Sequence, residues 1–129
     1  MLALALAAAG GCGLAVPTAW TPGTRQPLIV GWQQYFRIQW DATKKDNHAL
    51  VEGYISNSWN FAAQRVQLLI TGYDGAGRGL GQIIAWGPYE IDPGTRQYFS
   101  VPVPPGATTY DVAMFAWNWV QAGGVADNP

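Results

Sequence analysis

Residues 66–77 read VQLLITGYDGAG, and this stretch carries the two signals that decide the fold. In its first half a branched apolar residue stands at every second position, which is the period of a half-buried β-strand. The Asp74–Gly77 segment that follows is rich in residues that tolerate a positive φ, and it predicts a hairpin turn. The expected strands on either side of this turn are 64–73 and 80–86.

The same alternation continues through the rest of the chain, and no segment has helical periodicity. Pro93-Gly94 suits the two central positions of a type II turn. Six or seven strands separated by turns, without helices, favour two packed sheets over one open sheet. The predicted fold class is therefore all-β: an immunoglobulin-like (Ig-like) antiparallel β-sandwich. The further expected strands are 28–40 (with a bend or bulge at Gly31), 50–56, 97–103 and 109–120.

The last predicted strand is apolar on both sides, whereas a strand with one solvated face alternates with polar residues. Its two predicted faces are Tyr110, Val112 and Met114 on one side, and Phe115, Trp117 and Trp119 on the other. Either the N-terminal or C-terminal segment covers the second face, or an aromatic patch is left for a partner. A third interpretation is that these rings only fill the core. The candidate binding surface consists of Trp117, Trp119, Phe115 and Trp86.

The beginning of the last strand, residues 106–112, has the layout of a tyrosine corner. In such a corner the Tyr110 hydroxyl would bond backbone a few residues upstream and fix the crossover between the sheets. The alternative is an ordinary buried tyrosine.

The N-terminus reads MLALALAAAGGC and predicts export. An apolar run of signal-sequence length is followed by small residues, and the segment ending in Cys12 is similar to a bacterial lipobox. Acylation of Cys12 would anchor the protein to a membrane. Cleavage after Ala9 with plain export, and an apolar N-terminus without a targeting role, remain open. The expected organisation is 1–12 signal/lipobox-like segment, 13–27 tether (whose Trp20 could dock back), 28–120 domain and 121–129 flexible tail.

Composition excludes several function classes. Charged residues make up 12 % of the 129 residues, and the net charge is −1, so nucleic-acid binding is not expected. The single cysteine leaves no internal disulfide. Enzyme signals are weak: His48 lies with Asp41 and Asp46 in a polar stretch that could supply a base or hold a weak metal ion, but a solvated turn is favoured. Glu90 and Asp92 flank a turn where acids are common. Neither a cofactor nor a resident metal is expected.

Three segments together resemble the FxLYD family of Ig-like bacterial envelope domains: Val51–Asn57, Val66–Ile70 and Tyr73–Gly77. Tyr73, Asp74 and Gly75 match the end of the family motif and its glycine turn, so a structural role is expected for them. Gly72 replaces the family's leucine, which should thin the core and admit a neighbouring tryptophan. The resemblance implies an Ig-like sandwich on secreted or lipid-anchored proteins, and it brings no catalytic residues.

We therefore expect a non-enzymatic interaction or accessory module of the cell envelope, facing the periplasm or the surface. Its partner would be another envelope protein or a second copy, and its contact with the membrane would be through the lipid anchor only. The alternative is a carbohydrate-binding module that uses surface tryptophans to bind a glycan. An enzyme built around His48 is a third, weaker hypothesis.

Overall fold

A computed structural model describes residues 17–120 of the protein. Cys12, the rest of segment 1–16 and the predicted tail 121–129 lie outside the described residues. A short 3-10 helix, Trp32–Gln34, precedes the strands. The seven strands are β1 Phe36–Lys45, β2 His48–Asn57, β3 Ala62–Tyr73, β4 Gly79–Trp86, β5 Glu90–Ile91, β6 Arg96–Pro102 and β7 Thr109–Val120.

The strands form two antiparallel sheets that pack face to face. One sheet has the order β1-β2-β6. In the other, β3 pairs with β7 along one edge and with β4 and β5 along the other. The β2–β6 and β3–β7 pairings correspond to the B–E and C–F pairs of the immunoglobulin arrangement. The predicted all-β sandwich is confirmed, with seven strands.

The core lies between the sheets and is built from the alternating residues of the predicted strands. The inward faces expected for segments 50–56, 64–73 and 97–103 are confirmed, because these side chains are almost completely buried. Their burial supplies the main stabilisation of a core without an internal disulfide. The most deeply buried of these side chains are Val51, Ile55, Val66, Leu68, Ile70, Phe99, Val101 and Val103.

The first hairpin differs from the prediction at both ends of its first strand. The chain reaches β1 only at Phe36, because Gly31, with φ of 81°, opens the 3-10 helix instead of bending a strand. At the other end, the stretch predicted as a polar loop continues β1 and begins β2. Asp46 and Asn47, with φ of 51° and 66°, form the two-residue turn between them. Both residue types tolerate the positive φ that a tight hairpin requires.

A bulge in β7 overturns the predicted placement of Phe115 and Trp117 together on the face opposite Met114, whereas Tyr110, Val112 and Met114 pack on the core as predicted. Leu68 pairs with Met114, but the preceding Gln67 pairs with Ala116, so Phe115 is an extra residue on β7. An extra residue shifts the inside–outside alternation by one position. Met114 and Trp117 consequently both face the core, and Trp117 is only 6 % exposed. Its assignment to a binding surface is therefore wrong.

Part of the predicted tether belongs to the fold. Thr21 exchanges two backbone hydrogen bonds with Gln82 on the outer edge of β4, at 3.1 and 2.9 Å. The segment then crosses the outside of the β4–β3–β7 sheet, where the Leu28 amide donates to the Phe115 carbonyl at 2.9 Å. Leu69, on this outer face, is 4 % exposed. The N-terminal segment thus covers part of the second apolar face, as the first interpretation predicted, and the domain boundary at residue 28 is wrong.

Trp20 fills the space that Gly72 leaves open. The indole lies over Gly72, packs against Tyr110 with ring centroids 6.1 Å apart, and donates its N–H to the Pro105 carbonyl at 3.2 Å. The prediction that Gly72 admits a tryptophan is confirmed, and so is the docking of Trp20.

Candidate functional site

The two edges of the sandwich differ. On the β1–β7 side the sheets are joined by the Trp40 indole, which donates to the Tyr110 carbonyl at 3.1 Å. On the opposite side, between β4 and β6, lies a groove of about 800 Å³. We call it the edge groove. It is lined by residues of β4 from Ile83 to Trp86 and of β6 from Ser100 to Pro102, together with the first described residues of the chain.

The edge groove exposes strand backbone. Both backbone groups of Gln82 bond Thr21, so those of Ile84, two residues further along β4, point to the same outer edge. Directly after β6, the Val103 amide donates to the Ala49 carbonyl of β2. Backbone groups alternate between the two sides of a strand, so Val101 also faces β2. The backbone groups of Ser100, one position before Val101, therefore point away from β2. Two strand edges that can pair with an additional strand thus border the groove.

The floor of the edge groove is apolar and its rim is charged. Leu50, Ile83 and Val101 contribute apolar surface, while the polar lining residues are Thr21, Arg25, Lys45, Asp46, His48 and Ser100. Cationic side chains outnumber the acidic one, which favours a ligand carrying a carboxylate.

His48 lies on the rim of this groove and is exposed. It faces Lys45 across the tight turn, whereas Asp41 lies opposite Glu52 further along the hairpin. In residues 17–120 no hydrogen bond joins His48 to an acid or a serine, and no cluster of three His, Cys, Asp or Glu side chains could hold a metal ion. The structure therefore does not bring together the three residues that sequence analysis grouped.

Two of the four predicted surface aromatics, Trp117 and Trp119, fill one end of the core. Trp119 and Phe115 are partly buried. Trp119 stacks on Phe36 with ring centroids 5.5 Å apart and an interplanar angle of 8°, and Trp117 meets Phe36 edge-on at 4.8 Å. Such pairs stabilise a core beyond the area that they bury. Tyr35, Trp59 and Phe61 complete this cluster.

Trp86 is the predicted site residue that remains available, with 63 % of its surface exposed. It borders the edge groove on one side and a smaller cleft of about 320 Å³ on the other. That cleft, the Trp86–Tyr89 cleft, is also lined by Arg65, Gly87 and Pro88. Sequence analysis missed Arg65 and Tyr89. The Gly-Pro step before Tyr89 was the available signal, because a turn places its aromatic residue at the surface.

The predicted structural residues have different roles. No hydrogen bond of the Tyr110 hydroxyl is found within residues 17–120, so the tyrosine corner is not formed; burial raises the pKa of this phenol. Tyr73 instead donates to Asp111 at 3.1 Å. Asp74 closes the β3–β4 hairpin, accepting from the amides of Ala76 and Arg78 at 2.9 Å each, and the predicted turn at 74–77 is confirmed.

The two acids beside the Pro93-Gly94 turn affect each other's pKa through a hydrogen bond. Gln64 donates to Glu90 at 2.6 Å, and this bond, followed by one with Asp92, lowers the pKa of Glu90. The same contact with Glu90 raises the pKa of Asp92. The turn itself has the predicted type II geometry, because Gly94 has φ of 72° and the Thr95 amide donates to the Asp92 carbonyl at 3.2 Å.

No protein family, curated protein or solved structure matches this chain. The resemblance to FxLYD domains therefore stays a prediction that rests on the residues quoted for it. Over the described part of the chain, no helix has the length and apolar character needed to cross a membrane.

Proposed function

We propose that this protein is a non-enzymatic interaction module of the bacterial cell envelope, which binds an extended segment of another envelope protein in the edge groove. The observation that carries the proposal is the outer edge of β4 beyond Gln82, beside an apolar floor: within residues 17–120, no hydrogen bond to the Ile84 backbone is made from this side. Backbone pairing would supply affinity, and side-chain pockets would supply selectivity.

The chain itself illustrates the expected binding mode. Thr21 already pairs with Gln82 as an isolated antiparallel bridge, so the outer edge of β4 is open to backbone pairing at that position. A partner segment would continue this pairing at Ile84 and Trp86. A carboxylate on the partner would be attracted by Arg25 and Lys45.

In-cell photo-crosslinking tests this proposal. A photoreactive amino acid placed at Ile84 or Ser100 should give one discrete adduct, whose crosslinked peptide is mapped by mass spectrometry. The matched control is Thr43, on the opposite edge strand. Equal crosslinking at Thr43, or adducts scattered over many proteins, would contradict specific binding of one partner in the edge groove.

A synthetic peptide of the crosslinked segment then tests strand pairing. Ile84→Pro removes one backbone donor from the outer edge, where proline is tolerated, while Ile84→Val keeps it. We expect Ile84→Pro to weaken peptide binding roughly tenfold, as loss of a buried hydrogen bond would. Equal binding by the two variants would show that the peptide does not pair with β4.

Envelope location is supported by the apolar N-terminal run, by the lipobox-like segment and by the FxLYD resemblance. Acylation of Cys12 is the expected anchor. Labelling with radioactive palmitate in a bacterial host should mark the wild-type protein and not the Cys12→Ser variant. Equal labelling of both would exclude Cys12 as the lipid site.

A further inference from the structure

Arg65 has a backbone conformation that side chains rarely adopt. It lies in β3 with φ of 56°, at a point where β3 carries one residue more than its partner β7. For a non-glycine residue this conformation costs about 1–2 kcal/mol. Bulges redirect side chains at functional positions, and strained residues cluster there.

The bulge holds Arg65 against the loop that carries the exposed rings. The Arg65 amide donates to the Tyr89 carbonyl at 3.0 Å, and the Gly87 amide donates to the Val66 carbonyl at 2.8 Å. These two bonds fix Gly87, Pro88 and Tyr89 beside the strand. The Trp86–Tyr89 cleft is therefore a preformed feature of the backbone.

The Arg65 side chain has no acidic partner within the described range 17–120, where Asp74–Arg78 is the one ion pair. The acid on the neighbouring strand, Glu90, instead accepts from Gln64 at 2.6 Å. A guanidinium offers five donors in a planar fork that matches a carboxylate. Arg65 thus presents an unused anion-binding group at the cleft.

The two aromatic rings beside Arg65 are exposed and have no aromatic packing partner among the described residues. Trp86 is 63 % and Tyr89 is 71 % exposed, and in the part of the chain that the structure describes neither packs against another aromatic ring. The exposed Tyr54, by contrast, has a cation over its ring, because the Arg96 guanidinium carbon lies 4.3 Å from the ring centroid. Exposed rings beside a free cation offer both apolar stacking surface and charge recognition.

We propose that the Trp86–Tyr89 cleft binds a carboxylate-bearing sugar unit of an acidic polysaccharide. The C–H face of the pyranose would pack on an exposed ring, and its carboxylate would accept two hydrogen bonds from Arg65. Nucleic acid is disfavoured, because phosphate binding needs several clustered cations and the net charge is −1. This site is separate from strand pairing at Ile84, although Trp86 borders both.

Isothermal titration calorimetry of the full chain with polygalacturonate tests the proposal. Arg65→Gln should weaken binding roughly tenfold or more, as expected for loss of a charged hydrogen-bonding group, and Arg65→Lys should be intermediate because it keeps charge without the fork. Tyr89→Ala should also weaken binding. The matched control is Arg37→Gln, an exposed arginine on the other sheet, which should bind as the wild type does.

Two further ligands test whether the cleft recognises both the carboxylate and the sugar ring of its ligand. Fully methyl-esterified polygalacturonate should bind at least tenfold more weakly, and polyglutamate should not compete. Equal binding of the ester, equal binding of polyglutamate, or no binding of polygalacturonate would each overturn the proposal. Ile84→Pro should leave polysaccharide binding unchanged. The polysaccharide proposal can therefore be refuted independently of the proposal that a peptide strand binds in the edge groove.

Discussion

The indole of Trp20 lies so close to Gly72 that a Cβ added at position 72 would come within 2.6 Å of a ring carbon. We expect Gly72→Ala to lower the free energy of unfolding by about 1–3 kcal/mol, the usual cost of overpacking. In a Trp20→Ala background the same substitution should cost little, because the ring is gone. Urea denaturation of the two single variants and the double variant measures this coupling.

Gly75→Ala is the control for this double-mutant cycle of Trp20 and Gly72, since a Cβ at position 75 meets no atom within 4 Å. It should be nearly neutral in both backgrounds. If Gly72→Ala were equally costly with and without the indole, Trp20 would not occupy this position in solution.

The positive φ of Arg65 predicts a stabilising substitution. Arg65→Gly should raise the free energy of unfolding by about 1 kcal/mol, because glycine adopts this conformation without a steric cost. Polysaccharide binding should nevertheless be lost. Arg65→Ala removes the same side chain but keeps the strain, so it should not be stabilising; a gain equal to that of glycine would show that the backbone is not strained.

Among residues 17–120, the buried indole N–H of Trp117 has no hydrogen-bond partner. Trp117→Phe removes this unsatisfied donor while keeping a ring, so we expect it to change stability by no more than about 1 kcal/mol. Trp117→Ala should cost about 3–5 kcal/mol, because it leaves a cavity. Thermal and urea denaturation compare the two; similar losses for both would mean that the N–H is bonded in solution.

The tyrosines predict a loss of stability at high pH. Burial, followed by the hydrogen bond with Asp111, raises the pKa of Tyr73, and a hydrogen bond with Glu52 raises the pKa of Tyr98. The folded protein therefore retains protons that the unfolded chain releases near pH 10. This stabilisation is complete below about pH 10 and is lost as pH rises through the folded pKa values.

Urea denaturation over a series of alkaline pH values measures the decline. Tyr73→Phe removes one of the contributing phenols and should make the decline shallower. A profile of unchanged slope in this variant would contradict the assignment to Tyr73.

The strands could be predicted from the sequence because their turns carry residues with specific backbone requirements. Pro93-Gly94 and Asp74–Gly77 form the predicted turns, and the inward residues between them follow the period of two. The same rule failed at Phe115, because a bulge depends on how β7 meets β3 and not on the composition of β7 alone. One extra residue was enough to move Trp117 into the core.

The candidate sites were harder to predict than the fold. The edge groove joins residues from β2, β4 and β6 with Arg25 of the N-terminal segment, and no local pattern brings these positions together. Of the binding residues predicted from the sequence, only Trp86 is largely exposed. It lies at the end of an edge strand, before a Gly-Pro step. This position separates it from the tryptophans of the aromatic cluster at one end of the core.

If Cys12 is acylated as proposed, the docking of Trp20 limits how far the domain can stand from the lipid. Seven residues lie between Cys12 and Trp20, and a fully extended chain over these eight Cα–Cα steps spans about 28 Å. A lipid at Cys12 would therefore keep the sandwich within one small-protein diameter of the bilayer. Because Pro17 and Ala19 line the edge groove, the groove would open close to the lipid headgroups, where its partner would have to present the extended segment.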